Sequence, residues 1–373
     1  MASNETSDPF PPIHPVTHLL DAWRPRDRHT TVDGFRHTLD QACSNFYGQN
    51  NGRRYGTVNV LLLGWAADQA DDKIRSLTAR VGRIFSSYRY DVLVFLLRSG
   101  GHEKTILEEQ LEHLMRGLQR DDLAIVYYVG HSESVVGVTG NTHLYLGPTT
   151  SYRCLLPLID FDQVRRDIID PAAPDVLMLL DCSSAVGGSI GRGKELISAS
   201  AFDQPRSQHD FSIVLIQILE EAVKKQHVLT TAQLYNCLTA NAVIKEEGMA
   251  KLSTLPYYHH RHEDRRQIFL APMFPHKTWT CGPVLSTSMQ PVNVILHLYL
   301  RDANKHTLGE LRIWVHHNVN LNLGRIEIKE MFQALPESTI AILRVTLDVW
   351  YNMPENPAIT FIGFEQNTNM GEN

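Results

Sequence analysis

The sequence predicts an α/β fold: a three-layer, mostly parallel sheet flanked by helices over residues 50 to 276, followed by a small α+β module at 284 to 368. Three observations predict it. Near-continuous apolar runs recur as TVNVLLLGW (57 to 65), DVLVFLL (91 to 97), DLAIVYYVG (122 to 130) and DVLMLLD (175 to 181). A strand that is apolar at every position is covered on both faces, as in a parallel sheet. Helical patterns separate these runs, and strands alternating with helices build such sheets through crossovers. After the CGP at 281 to 283 the pattern shifts to β, α, β, β, β.

Taken in order, residues 1 to about 28 hold five prolines and few large apolar residues, so they read as a mobile arm. Phe35, Leu39, Cys43 and Phe46 recur at helical spacing, and Gly48 stops that helix. The arm and helix form a leading segment, 1 to 49. Ile74, Leu77, Val81 and Phe85 mark a helix after the first strand, and Leu107, Leu111, Leu114 and Leu118 one after the second. NTHLYLGP (141 to 148) reads as part of a hairpin after the third strand, and Asp162 to Ile169 as a short helix before the fourth. A helix is expected at 193 to 200, then two amphipathic helices near 210 to 225 and 231 to 244. RRQIFLAPM (265 to 273) gives a late strand. In the last module PVNVILHLYL, GRIEIKEMF, STIAILRVTLDVWY and ITFIGF are strands, and TLGELRIWVHH is a helix.

The chain of 373 residues carries a net charge of −6 with acids and bases mixed, which argues against a nucleic-acid partner. Its five cysteines include no CxxC pair, so neither a zinc knuckle nor a disulfide framework is indicated. No apolar run approaches the ~18 residues of a membrane helix, and the first residues lack the pattern of a signal peptide. A cytoplasmic protein without a membrane partner is the expectation.

Ligands of open α/β sheets sit at the carboxyl ends of strands, and two such ends carry reactive groups. One strand runs into Gly130, His131 and Ser132; the other runs into Asp181, Cys182, Ser183 and Ser184. Beyond the second, Gly188, Gly193 and Lys194 fit the phosphate-loop pattern G-x-x-x-x-G-K. The next residue, however, is Glu195 where a magnesium-binding hydroxyl is needed. A glycine-rich surface turn is the plainer reading. The cluster His259, His260, His262 and Glu263 lacks the helical i, i+4 spacing of a metal site and reads as a solvated loop. No metal or other cofactor is expected.

YYVGHS followed by LLDCSSAVGG resembles the caspase and metacaspase peptidases, whose corresponding segments read like YYSGHG and DCCHSG or DSCHSG. His131 precedes Ser183 by 52 residues, and caspases separate histidine and nucleophile by about 50. The resemblance covers roughly residues 57 to 275. It is strongest to fungal caspase-domain proteins, which similarly carry a KELISA-like helix after the nucleophile and a β-rich C-terminal extension. It implies a caspase-like fold and a cysteine endopeptidase with His131 as base. In metacaspases the Asp of D-x-C and a second acid after the first strand select Arg or Lys; Asp181 matches the first and Asp68 is the candidate for the second. Asp71 and Asp72 lie close by, and all three acids also suit the cap of the following helix. Backbone N–H groups near Ser132 and Ser183 would form the oxyanion hole, although the family has glycine at the position of Ser132. The resemblance also brings in calcium activation, which nothing in the sequence indicates.

Register decides the chemistry. In D-x-C the nucleophile is the second residue after the Asp, so Ser183 takes its place and Cys182 is the intervening residue. Side chains alternate along a strand. Asp181 and Ser183 should face the cleft, and Cys182 should face packing. A serine needs a well-held base, and serine hydrolases supply a third group to orient the histidine; the sequence does not single one out. The expectation is a weak or inactive peptidase homologue that binds peptides, or a caspase-like partner in a cell-death pathway. The alternative is an active Arg/Lys-directed endopeptidase using His131 with Cys182, or with a cysteine native at position 183. The loop 184 to 209, with Arg192, Lys194 and Arg206, is a candidate for processing.

Overall fold

The structure, a computed structural model, describes residues 29–47, 55–136, 142–148, 158–182, 190–200, 210–225, 227–243, 252–260, 268–273, 292–301, 305–318, 326–334, 338–354 and 356–365. The expected arm at 1 to 28, Ser183 and most of the 184 to 209 loop lie outside these residues.

The first helix, α1 (Val32–Tyr47), is capped by Thr31, whose hydroxyl accepts from the Gly34 amide at 3.0 Å. The α/β region follows: β1 (Val58–Trp65), α2 (Asp72–Ser87), β2 (Asp91–Leu97), α3 (Glu103–Met115) and β3 (Leu123–Val129). Next come a hairpin of β4 (His131–Val136) and β5 (Thr142–Gly147), then β6 (Ile159–Asp160) and α4 (Phe161–Val164), which widens into a π turn at Arg165–Ile169. The region closes with β7 (Asp175–Asp181), β8 (Lys194–Ser198), α5 (Asp210–Lys225), β9 (Leu229–Thr230), α6 (Thr231–Val243), β10 (Tyr257–His260) and β11 (Phe269–Leu270).

Six of these strands form one sheet in the order β10-β8-β7-β3-β1-β2, parallel throughout except that β10 runs antiparallel to β8. The molecule is therefore a mixed α/β protein with a mostly parallel central sheet. Alternation sorts the strand residues cleanly. Val60, Leu62, Ile125, Tyr127, Leu177 and Leu179 pack with α2 and α5 on one face. Leu61, Leu63, Val126, Tyr128, Met178 and Leu180 pack with α3 and α4 on the other. This two-sided cover is why β1, β3 and β7 read as unbroken apolar runs; β2, expected to be buried as well, is the edge strand, with Leu93 40% and Val94 53% exposed.

Two further segments differ from expectation. Residues 194–198 form a strand beside β7, not a helix, and 257–260 form its antiparallel neighbour, not a loop. Their charged residues disguised them. Lys194 is buried, with Nζ donating to the carbonyls of Ala172 (2.9 Å) and Pro174 (2.7 Å). Glu195 is buried beside Tyr258 and the Ile268 amide. Gly193 makes the turn that delivers them: its φ is +69°, and a Cβ there would stand 2.8 Å from the Asp175 carboxylate.

The final module contains β12 (Asn293–Arg301), α7 (Lys305–Asn318), β13 (Glu327–Ala334), β14 (Ser338–Thr346), α8 (Leu347–Asn352) and β15 (Ile359–Glu365). Its strands form an antiparallel sheet in the order β13-β14-β12-β15. STIAILRVTLDVWY thus divides into a strand and a helix at Thr346, where the Leu347 amide turns to the Val292 carbonyl at 2.9 Å. One face of this sheet, bearing Val294, Leu296, Leu298 and Leu300, packs with apolar residues of α1, α7 and α8. Thr30 extends the sheet by a parallel bridge to Leu300. Tyr351 of α8 meets Tyr235 edge to face and Tyr258 at a tilt, each at a ring separation of 5.0 Å, and so joins the module to the α/β region. Among the described residues no helix is long and apolar enough to cross a membrane.

Candidate functional site

Three strand ends meet at one edge of the central sheet. In register, Leu63 stands opposite Tyr128, and Val129 opposite Asp181. The residues that follow leave the sheet at a common level: Asp68 after β1, His131 after β3 and Cys182 after β7. From β1 the chain first moves outward to β2 and then returns to place β3 on the other side. The edge between β1 and β3 is thus the topological switch point, where open α/β sheets place their ligands.

His131 is the first residue of β4, opposite Gly147. Its backbone carbonyl accepts from the Tyr128 hydroxyl at 2.7 Å, and the same hydroxyl reaches the Gly147 carbonyl at 3.1 Å. Gly130 lets this phenol fold back, because a Cβ there would lie 2.4 Å from the Tyr128 oxygen. Gly130→Ala is therefore expected to cost about 1–3 kcal/mol, read as a lower urea midpoint. A parental midpoint would show that Tyr128 moves aside. The His131 ring lies with Nε2 3.2 Å from Glu133 Oε1, and the Glu133 side chain is 48% exposed. Ser132 alternates with His131 along β4 and is fully buried.

Asp181 and Cys182 part company as alternation requires. Asp181 is buried on the α5 side, where the Ser212 hydroxyl donates to its Oδ2. The Tyr127 hydroxyl lies 2.6 Å from Ser212 Oγ. Burial, and secondarily the negative charge of Asp181, push the Tyr127 phenol well above its usual range. Cys182 continues the series Met178, Leu180 on the opposite face and is 0% exposed. Asp68 lies in a 3-10 turn, Ala67–Ala70, and is 3% exposed. Asp71, rather than Asp68, caps α2 by accepting from the Lys73 amide at 2.8 Å. Both acids matched to the Arg/Lys pocket are thus enclosed in this conformation.

The phosphate-loop alternative is overturned. Lys194 opens a strand rather than a helix, and its ammonium is spent on two backbone carbonyls. His259 and His260 lie on β10 opposite Leu196 and Glu195, while His262 and Glu263 fall outside the described residues. Among the described residues no group of three or more His, Cys, Asp and Glu side chains is placed to hold a metal ion.

Two partners escaped the sequence reading. Glu133 shares the outward face of β4 with His131, a signal available only once that segment is recognised as a strand. Ser212 lies 31 residues beyond Asp181, and no local pattern links them. No protein-family model matches the chain, and no curated protein matches it.

Proposed function

We propose that the chain is a caspase/metacaspase-like peptidase homologue whose nucleophile position holds Ser183, and that it acts by binding peptides or a caspase-like partner rather than by rapid cleavage. The observation that carries this reading is the burial of Cys182 on the face opposite Asp181. A thiol fully enclosed in the apolar cluster that holds Leu180 and Tyr128 is poorly accessible to a base, and thiolate formation in apolar surroundings is disfavoured. The base then depends on a hydroxyl, which gives almost no alkoxide without a firmly oriented imidazole. The level strand ends and the switch point support a binding cleft at this edge.

One observation favours the active reading, an Arg/Lys-directed endopeptidase: Glu133 stands beside His131 and supplies the third group that a hydrolase needs. Its exposure makes it a weak orienter, since exposed ion pairs contribute only about 0–1 kcal/mol. An Arg-containing fluorogenic peptide separates the readings. The chain as written should be nearly silent, and Ser183→Cys should raise turnover by roughly two orders of magnitude or more. Turnover by the unaltered chain that disappears in Cys182→Ala would sink the assignment.

A further inference from the structure

We propose that the open face of the C-terminal sheet is a homodimer interface, covered by the same face of a second copy of this chain. An antiparallel sheet packed on one side normally turns polar residues outward on the other. Here six of the outward residues are large and apolar or aromatic: Ile295, His297 and Tyr299 on β12, Ile340 and Ile342 on β14, and Phe332 on β13, with Tyr299, Ile340 and Phe332 in one row and Glu330 interrupting the next, opposite Ile342. All six are partly or largely exposed, and Phe332 is 51% exposed. The helices α1, α7 and α8 bury their apolar residues on the opposite face, so this second surface carries large apolar side chains without being core.

Size, edges and charge all point to a second copy laid face to face. Four strands of seven to nine residues span roughly 500 Å² in projection at ordinary strand spacing and rise. Side chains standing up from the sheet enlarge that area, which brings it to the scale of the roughly 800 Å² that each partner gives a standard interface. Both sheet edges are blunted against strand addition. The β13 ladder is irregular between Ile328 and Glu330 and carries Glu327, Lys329 and Glu330; the β15 ladder shifts near Ile362. At one end of the apolar patch the charges are balanced. Arg344 pairs with Glu365 and with Glu327 (3.3 Å), Lys329 pairs with Glu327 (3.0 Å), and Asn293 donates to Glu365 (3.2 Å). Two copies that meet at this balanced end approach without the repulsion that two like-charged ends would meet.

The test is the mass of the full chain in solution, by light scattering on a sizing column over a wide concentration range. A dimer is expected. Ile342→Lys and Phe332→Lys should each weaken association by about tenfold or more, while Val94→Lys, on the exposed edge of the other sheet, should leave it intact. Phe332 is half exposed, so its variant keeps the test decisive if Ile342→Lys does not fold. A monomeric parent at every concentration overturns the proposal and leaves the face to another occupant, such as the residues that precede His29, whose ring meets Tyr299 at 5.6 Å. A dimer insensitive to both face variants, or one dissolved by Val94→Lys, overturns it as well.

Discussion

Arg165→Ala is expected to lower the free energy of unfolding by about 3–5 kcal/mol, the range for breaking a buried ion pair by removing one partner. Arg165 is 2% exposed in the π turn after α4. Its guanidinium donates to Asp162 from Nε (3.3 Å) and from a terminal nitrogen (3.2 Å), and to Asp170 at 2.6 Å. Each acid is also tied to backbone: Asp162 accepts from the Leu144 amide at 2.8 Å, and Asp170 from the Gly191 amide at 3.0 Å. The cluster therefore fastens the hairpin that carries His131 to the turn that leads into β8. Alanine would leave two carboxylates close together, with one of them deeply enclosed. Arg165→Lys keeps the charge but not the fork geometry, and should fall between the parent and alanine. Urea unfolding followed by circular dichroism measures this; a loss below about 1 kcal/mol, the scale of an exposed pair, would mean that water reaches the cluster.

The second large effect is a pH dependence centred on Glu195. Burial raises its carboxyl pKa from 4.5 to about 7, against the lowering influence of Thr231, the Ile268 amide and Tyr258, and the nearby Asp175 charge raises it further. Tyr258 donates to Oε2 at 2.7 Å, the Ile268 amide donates to Oε1 at 2.9 Å, and Asp175 itself is held by the Tyr55 hydroxyl at 2.9 Å. A carboxyl whose folded pKa is raised favours the folded state while it is protonated. Its contribution is complete below the unfolded pKa, near 4.5, and is lost as the pH rises through about 7. The gap of about 2.5 pH units corresponds to roughly 3 kcal/mol. Glu195→Gln keeps an acceptor for the Ile268 amide and cannot ionise. It should flatten the stability profile between pH 5 and 8, and above pH 7 it should be more stable than the parent. Urea midpoints at the two pH values decide; parallel profiles for parent and variant would show that Glu195 does not titrate in this range.

These two clusters also mark where the sequence stopped being readable. Strands β1, β3 and β7 were legible because both faces are covered, which leaves no polar position to interrupt the run. The opposed placement of Asp181 and Cys182 was legible from alternation alone. Strands β8 and β10 were not, because Lys194, Glu195 and His259 look like solvent-facing residues. Their partners, Ala172, Pro174, Tyr258 and Ile268, come from distant segments. Long-range pairing of this kind has no local signature. The same holds for Ser212 at Asp181, and for Arg165, which a helical pattern alone would place in water.

The bridge from Thr30 to Leu300 has a practical consequence. The Thr30 amide donates to the Tyr299 carbonyl at 3.0 Å and the Arg301 amide to the Thr30 carbonyl at 2.9 Å, so the first described residues are laced to the C-terminal module. Phe35 and Leu39, both fully enclosed, owe their shelter to segments more than two hundred residues downstream. Trimming a recombinant fragment at 50 and 276 would bare greasy surface on Tyr235 and Tyr258 while discarding α1. Anyone preparing a shorter piece for biochemistry should keep both extremities, and should expect the doubly trimmed piece to clump.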